Sequence, residues 1–67
     1  MRRDWIFFEI KCLDCGTMGE LGIWTDKQDW GYRWSGFDGQ AGIDGPHLMT
    51  VVCLCCFGRN VDVKRKN

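Results

Sequence analysis

The sequence predicts a small all-β domain of short antiparallel strands and hairpins held by a bound ion, and three observations carry that expectation. The chain has 67 residues, too few to bury a core that comfortably offsets its conformational entropy, so it needs a staple. Its apolar segments alternate with a period of two, and none repeats with the period of a helix. Four of its five cysteines fall into two pairs of identical spacing, which is the material of a staple.

The stretch WIFFEIK (5–11) sets Trp5, Phe7, Glu9 and Lys11 on one side and Ile6, Phe8 and Ile10 on the other, and its aromatic and β-branched residues favour a strand. A second strand over 17–24 is loosened by Gly19 and Gly22. The polar turn 25–29 leads into a third over 30–37, so these two form a hairpin. Residues 38–46 combine glycines with the only proline and read as a loop. Strands are expected again over 47–53, with Leu48, Thr50 and Val52 opposite Met49, Val51 and Cys53, and over 57–65, where Phe57, Arg59, Val61 and Val63 alternate with Gly58, Asn60, Asp62 and Lys64.

In KCLDCG (11–16) two residues separate Cys12 from Cys15, and Gly16 follows at once. Thiolates at i and i+3 converge on one ion when the backbone between them turns tightly, and the glycine permits a positive φ as backbone amides point toward the sulfurs. The same rule applied to CLCCFG (53–58) selects Cys53 and Cys56, with Gly58 shortly after, and leaves Cys55 between the ligands. The two half-sites supply the four sulfurs of a closed tetrahedral site for one structural zinc ion. Cys55 is expected to be a small buried residue of its turn; the other reading makes it an exposed thiol able to shift the ligand register to Cys53/Cys55. Buried apolar cysteines, disulfide pairing and a redox C-x-x-C are the competing readings. The odd cysteine count fits a disulfide framework poorly, and no helix follows Cys15 to activate a thiol. His47 is read as a loop histidine, because four thiolates already complete the shell.

The knuckles Cys12/Cys15 and Cys53/Cys56, with the strands on either side, resemble the zinc-ribbon families, in which two C-x-x-C knuckles on two β-hairpins grip one structural zinc. The resemblance implies a zinc-ribbon-like fold over a single domain, 1–67, with a Trp- and Gly-rich insert at 17–47 that the family pattern does not cover. Such ribbons serve in transcription, translation, nucleic-acid enzymes and small viral regulators, so the fold does not choose a function.

Charge balances overall, but residues 1–12 carry +1, residues 59–67 carry +3 and the segment between carries −4. A four-thiolate zinc site adds −2, which disfavours indiscriminate polyanion binding. The expected partner-binding residues are Trp24, Trp30 and Trp34 and the basic ends Arg2, Arg3, Lys64, Arg65 and Lys66, which would gather into one patch away from the metal. The structural alternatives are that Trp30, Tyr32 and Trp34 form the core against strand 5–11, and that the terminal charges are solvated tails.

No enzymatic constellation emerges. Asp26, Asp29, Asp38 and Asp44 lie in turns, where aspartate favours local hydrogen bonds, and the glycines at 36, 39, 42 and 45 lack the lysine and helix of a phosphate loop. No apolar run reaches the length of a membrane span, and the start MRRDWIFFEIKCLDC has no apolar stretch of signal-peptide length before charges and cysteines intervene, so a soluble protein of a reducing cytoplasm is expected. The favoured function is a non-enzymatic zinc-ribbon protein acting through a protein partner, of the kind a phage or virus uses against a host factor in the host cytoplasm. A nucleic-acid-binding ribbon is the alternative, and a thiol-redox protein the third.

Overall fold

β1 forms where the alternation of WIFFEIK predicts it, and it organises everything around it. The computed structural model describes residues 4–66. In chain order the strands are β1 (Asp4–Cys12), β2 (Met18–Thr25), β3 (Trp30–Ser35), β4 (Phe37–Asp38), β5 (Ala41–Gly42), β6 (Gly45–Pro46), β7 (Val52–Cys53) and β8 (Val61–Arg65), with one 3-10 turn at Leu48–Thr50. The main sheet is antiparallel in the order β3-β2-β1-β8. Its register sets Phe8 opposite Leu21 and Ile10 opposite Val63, so the apolar halves of all four strands share one face. The fold is therefore the small all-β, hairpin-built one that the sequence predicts. Among the described residues no helix is long and apolar enough to cross a membrane.

Residues 37–53 fold over that apolar face. Phe37, Ala41, Val51 and Cys53 meet Ile10, Cys12, Leu21 and Ile23 of the sheet in one buried cluster, flanked by Phe8, Trp34, Val61 and Val63. The cover is built from the pairings β4–β7 and β5–β6, each only two residues long per strand. So little ladder cannot hold a layer by itself, and its apolar contacts and the cysteines must do so.

Four expectations need correction. The strand expected over 30–37 stops at Ser35, because Gly36 takes a φ of 78° and turns Phe37 into the second layer. The strand expected over 47–53 shrinks to Val52–Cys53, since the His47 carbonyl accepts from both the Thr50 amide and the Thr50 hydroxyl and curls 48–50 into a 3-10 turn. The strand expected over 57–65 begins only at Val61, because Phe57 adopts a φ of 62°. Trp30, Tyr32 and Trp34 share a face as expected, but β3 lies beside β2 at the sheet edge rather than against β1, and only Trp34 reaches the core. The loop 38–46 also contains the small β5–β6 ladder.

Gly19, which weakens the strand in sequence terms, is required by the packing. A Cβ there would overlap the Ser35 carbonyl oxygen and lie 2.6 Å from Cδ1 of the buried Phe37 ring. Gly16 differs: a Cβ meets nothing within 4 Å, and only its φ of 81° resists substitution. Gly19→Ala should therefore cost about 2 kcal/mol or more through overpacking, and Gly16→Ala about 1 kcal/mol through backbone conformation alone. Urea denaturation of the two metal-loaded variants, read as midpoint shifts, checks the order.

Candidate metal centre

The first knuckle is the turn joining β1 to β2, and the second joins β7 to β8. Both are built by the same hydrogen bonds. The Cys12 amide donates to the Thr17 carbonyl (2.8 Å) and the Gly16 amide to the Cys12 carbonyl (2.9 Å); in the second knuckle the Cys53 amide donates to the Gly58 carbonyl (2.9 Å) and the Phe57 amide to the Cys53 carbonyl (2.8 Å). Residues 12–17 thus correspond one by one to 53–58. Each knuckle is tied to another segment, Leu13 donating to the Asn60 carbonyl and Leu54 to that of Gly36.

This equivalence brings Cys12, Cys15, Cys53 and Cys56 together, with all four Sγ atoms within 4.8 Å of one another. Cys12 Sγ lies 3.6 Å from Cys56 Sγ and Cys15 Sγ 3.7 Å from Cys53 Sγ. A tetrahedron with metal–sulfur bonds of about 2.3 Å has edges of about 3.8 Å, so the set fits one four-coordinate metal and is compatible with a structural zinc ion. Cys12 and Cys53 are buried, while Cys15 and Cys56 form the outer side of the cluster.

No family model matches the chain, and neither the curated proteins nor the solved structures contain a match. The reading of the centre rests on its own geometry.

That geometry settles the placement of the fifth cysteine. Cys55 corresponds to Asp14, is not one of the four clustered cysteines, and is exposed, not the buried turn residue expected. In an i to i+3 knuckle the first and last side chains converge, and the two between are left outside. The equivalence also moves the left-handed residue. In the first knuckle it is Gly16, but in the second it is Phe57, not Gly58. Gly58 serves close approach instead: its amide donates to Cys56 Sγ (3.4 Å), and a Cβ there would lie 2.6 Å from Asp14 Oδ2. Aligning KCLDCG with the second knuckle would have exposed both points.

The electrostatics of the four thiols show why they favour a cation among them. The Thr17 hydroxyl, 3.1 Å from Cys15 Sγ, and then the Thr17 amide hold the Cys15 thiol down at about 6. The amides of Cys56 and Cys55 lower Cys53 against its burial. For Cys56 the Gly58 amide acts downward, but the neighbouring sulfurs of Cys12 and Cys15 prevail and push it up to about 12. One thiol ionises early and another very late because anionic sulfurs this close repel; a bound cation removes the conflict.

The other expected site residues do not converge on one surface. Lys64 stands opposite Glu9, and Lys66 reaches Glu20 at 3.3 Å, both on the sheet face away from the core, whereas Arg65 pairs with Phe8 and faces the other way. Arg2 and Arg3 lie outside the described residues. Trp24 covers Gly31 on the open face, while Trp30 and Trp34 are on the core face. Sequence reasoning overlooked Leu13, Leu54 and Phe57, exposed to 53%, 52% and 74% at the knuckles.

Two outcomes are expected. Native mass spectrometry should find one metal ion per chain, retained by Cys55→Ser and lost, with the fold, from Cys12→Ser and Cys53→Ser. Because the loaded site holds its sulfurs deprotonated while the free site keeps Cys56 protonated at neutral pH, loading releases protons. Apparent affinity should therefore rise with pH, and should fall more steeply below about 6, where Cys15 too must give up a proton; chelator competition across that range measures it.

Proposed function

We propose that the protein is a non-enzymatic zinc-ribbon binding protein, in which one structural zinc ion fixes a surface that contacts another protein. A closed set of four thiolates suits zinc, and it leaves no open coordination position for a substrate. The observation that carries the reading is the apolar surface at the metal. Leu13 and Leu54 occupy the same position of the two knuckles and are more than half exposed. Phe57 is 74% exposed on a left-handed backbone that glycine would adopt without strain. Nothing in folding or metal binding calls for a phenylalanine there, whereas an exposed aromatic flanked by leucines is the makeup of a protein–protein anchor.

A protein partner is favoured over nucleic acid. Lys64 and Lys66 face carboxylates across the sheet, and the 370 Å³ groove on the open face has both Arg33 and Glu20 beside Trp5 and Phe7, a mixed-charge wall with little pull on phosphate.

Bait protein in an extract of the native host tests the reading: Phe57→Ser and Leu54→Ser should keep one zinc per chain and lose at least about tenfold in capture of a protein that the wild type binds. Capture unchanged in both variants, or binding to single- or double-stranded nucleic acid that falls steeply with salt, would overturn it. A bound ion with the mass and visible absorption of iron would overturn the choice of zinc.

A further inference from the structure

The two edges of the main sheet are built differently. β8 carries Asp62, Lys64 and Arg65, with Lys66 just beyond, and charges of this kind discourage a further strand from pairing. β3 reads WGYRWS: Arg33 is its one charge, it has no proline, its pairing with β2 runs without a bulge, and none of the described residues pairs with its outer edge. Alternate residues of such an edge send unpaired N–H and C=O groups outward. Along the core face of the same strand Trp30, Tyr32 and Trp34 form a continuous row, with ring centroids 6.1 Å and 6.4 Å apart. Trp30 and Tyr32 are still 40% and 41% exposed at the rim, beyond the reach of the covering layer.

We propose that this edge pairs with the same edge of a second copy, joining two four-stranded sheets across a twofold axis at Tyr32. The sequence of β3 is self-complementary in that register. Tyr32 falls opposite Tyr32, Trp30 opposite Trp34 and Gly31 opposite Arg33, so the aromatic rows of the two copies meet on one face. On the other face each guanidinium crosses over a glycine. The register centred on Arg33 overlaps equally far but sets two guanidinium groups directly opposite each other, and like charges so placed repel. A strand of six residues is about 20 Å long, and with its row of rings it covers less than the roughly 1,200 Å² of a stable standard-size interface. The dimer is accordingly reversible, forming at micromolar concentrations and above.

Sedimentation equilibrium of the zinc-loaded protein across a range of concentrations tests the pairing, with Tyr32→Lys and Tyr32→Glu as variants. The partly exposed Tyr32 lies outside the buried cluster, so both variants should stay folded with one zinc per chain. The wild type should dimerise, each variant alone should dimerise at least about tenfold more weakly, and an equimolar mixture should restore dimer, because the lysine and the carboxylate meet at the axis. A wild type that stays monomeric at all concentrations, a dimer that survives Tyr32→Lys, or a mixture that remains monomeric would each overturn the proposal. The first of these would leave the edge to a strand from another protein. Metal content is read separately, so failure of the pairing is distinguishable from failure of the zinc site.

Discussion

Four sulfurs gathered within 4.8 Å of one another are a cost until a cation sits among them, and the rest of the molecule depends on that cost being met. The main sheet has ample ladder of its own, but the layer that covers it is fastened by two-residue pairings and a handful of apolar side chains. Cys12 belongs to the sheet and Cys53 to the cover, and both are buried in the core cluster that joins the two layers. A metal held by the four sulfurs would therefore act as a cross-link between layers. Its loss would release the cover, exposing Ile10, Leu21 and Ile23 to water, and would couple the folding of so short a chain to the metal.

The legible parts of the fold were those set by local pattern. WIFFEIK became a strand with the two faces its alternation assigns, and the spacing of two residues picked the four clustered cysteines out of five. The parts that could not be read were decided by single backbone torsions or by tertiary contact. The φ values of Gly36 and Phe57 ended two expected strands early, and a positive φ at phenylalanine has no signature in composition. The Thr50–His47 hydrogen bonds overrode a β-favouring run in the same way. Gly19 and Gly22 look like flaws in β2, yet Phe37 lies over one and the rings of Trp5 and Phe7 over the other. Which ring covers which glycine depends on strand register, and that emerges only when the strands pair.

The two faces of the sheet divide the tryptophans accordingly. On the open face Trp24 lies across Gly31, and the Trp5 and Phe7 rings stack at 5.6 Å above Gly22, so large rings shelter backbone that glycine leaves bare. On the core face Trp34 is drawn in far enough that its indole Nε1–H is buried with no acceptor among the described residues, at a cost of about 1–3 kcal/mol. Packing thus accounts for Trp24 and Trp34, and Trp30 is the member of the expected trio most available to a partner.

The second knuckle, where three cysteines crowd into four positions, shows the difference between what binding a metal requires and what this sequence supplies. Superposing the knuckles residue by residue, the first needs two cysteines, a glycine with positive φ and Thr17 to support a sulfur. The second keeps the cysteines and the amide-to-sulfur bond from Gly58, but substitutes Cys55 for Asp14 and Phe57 for Gly16. Neither change adds a ligand: Cys55 is exposed and stands outside the four-sulfur cluster, and Phe57 holds a strained torsion while leaving its ring in water. Strain and exposure together run to an energy that a Gly at 57 would largely avoid, by roughly 1 kcal/mol for the backbone alone. A residue that is costly to the folded monomer and idle toward the four sulfurs is the observation on which the proposal of a contact surface at the knuckles rests.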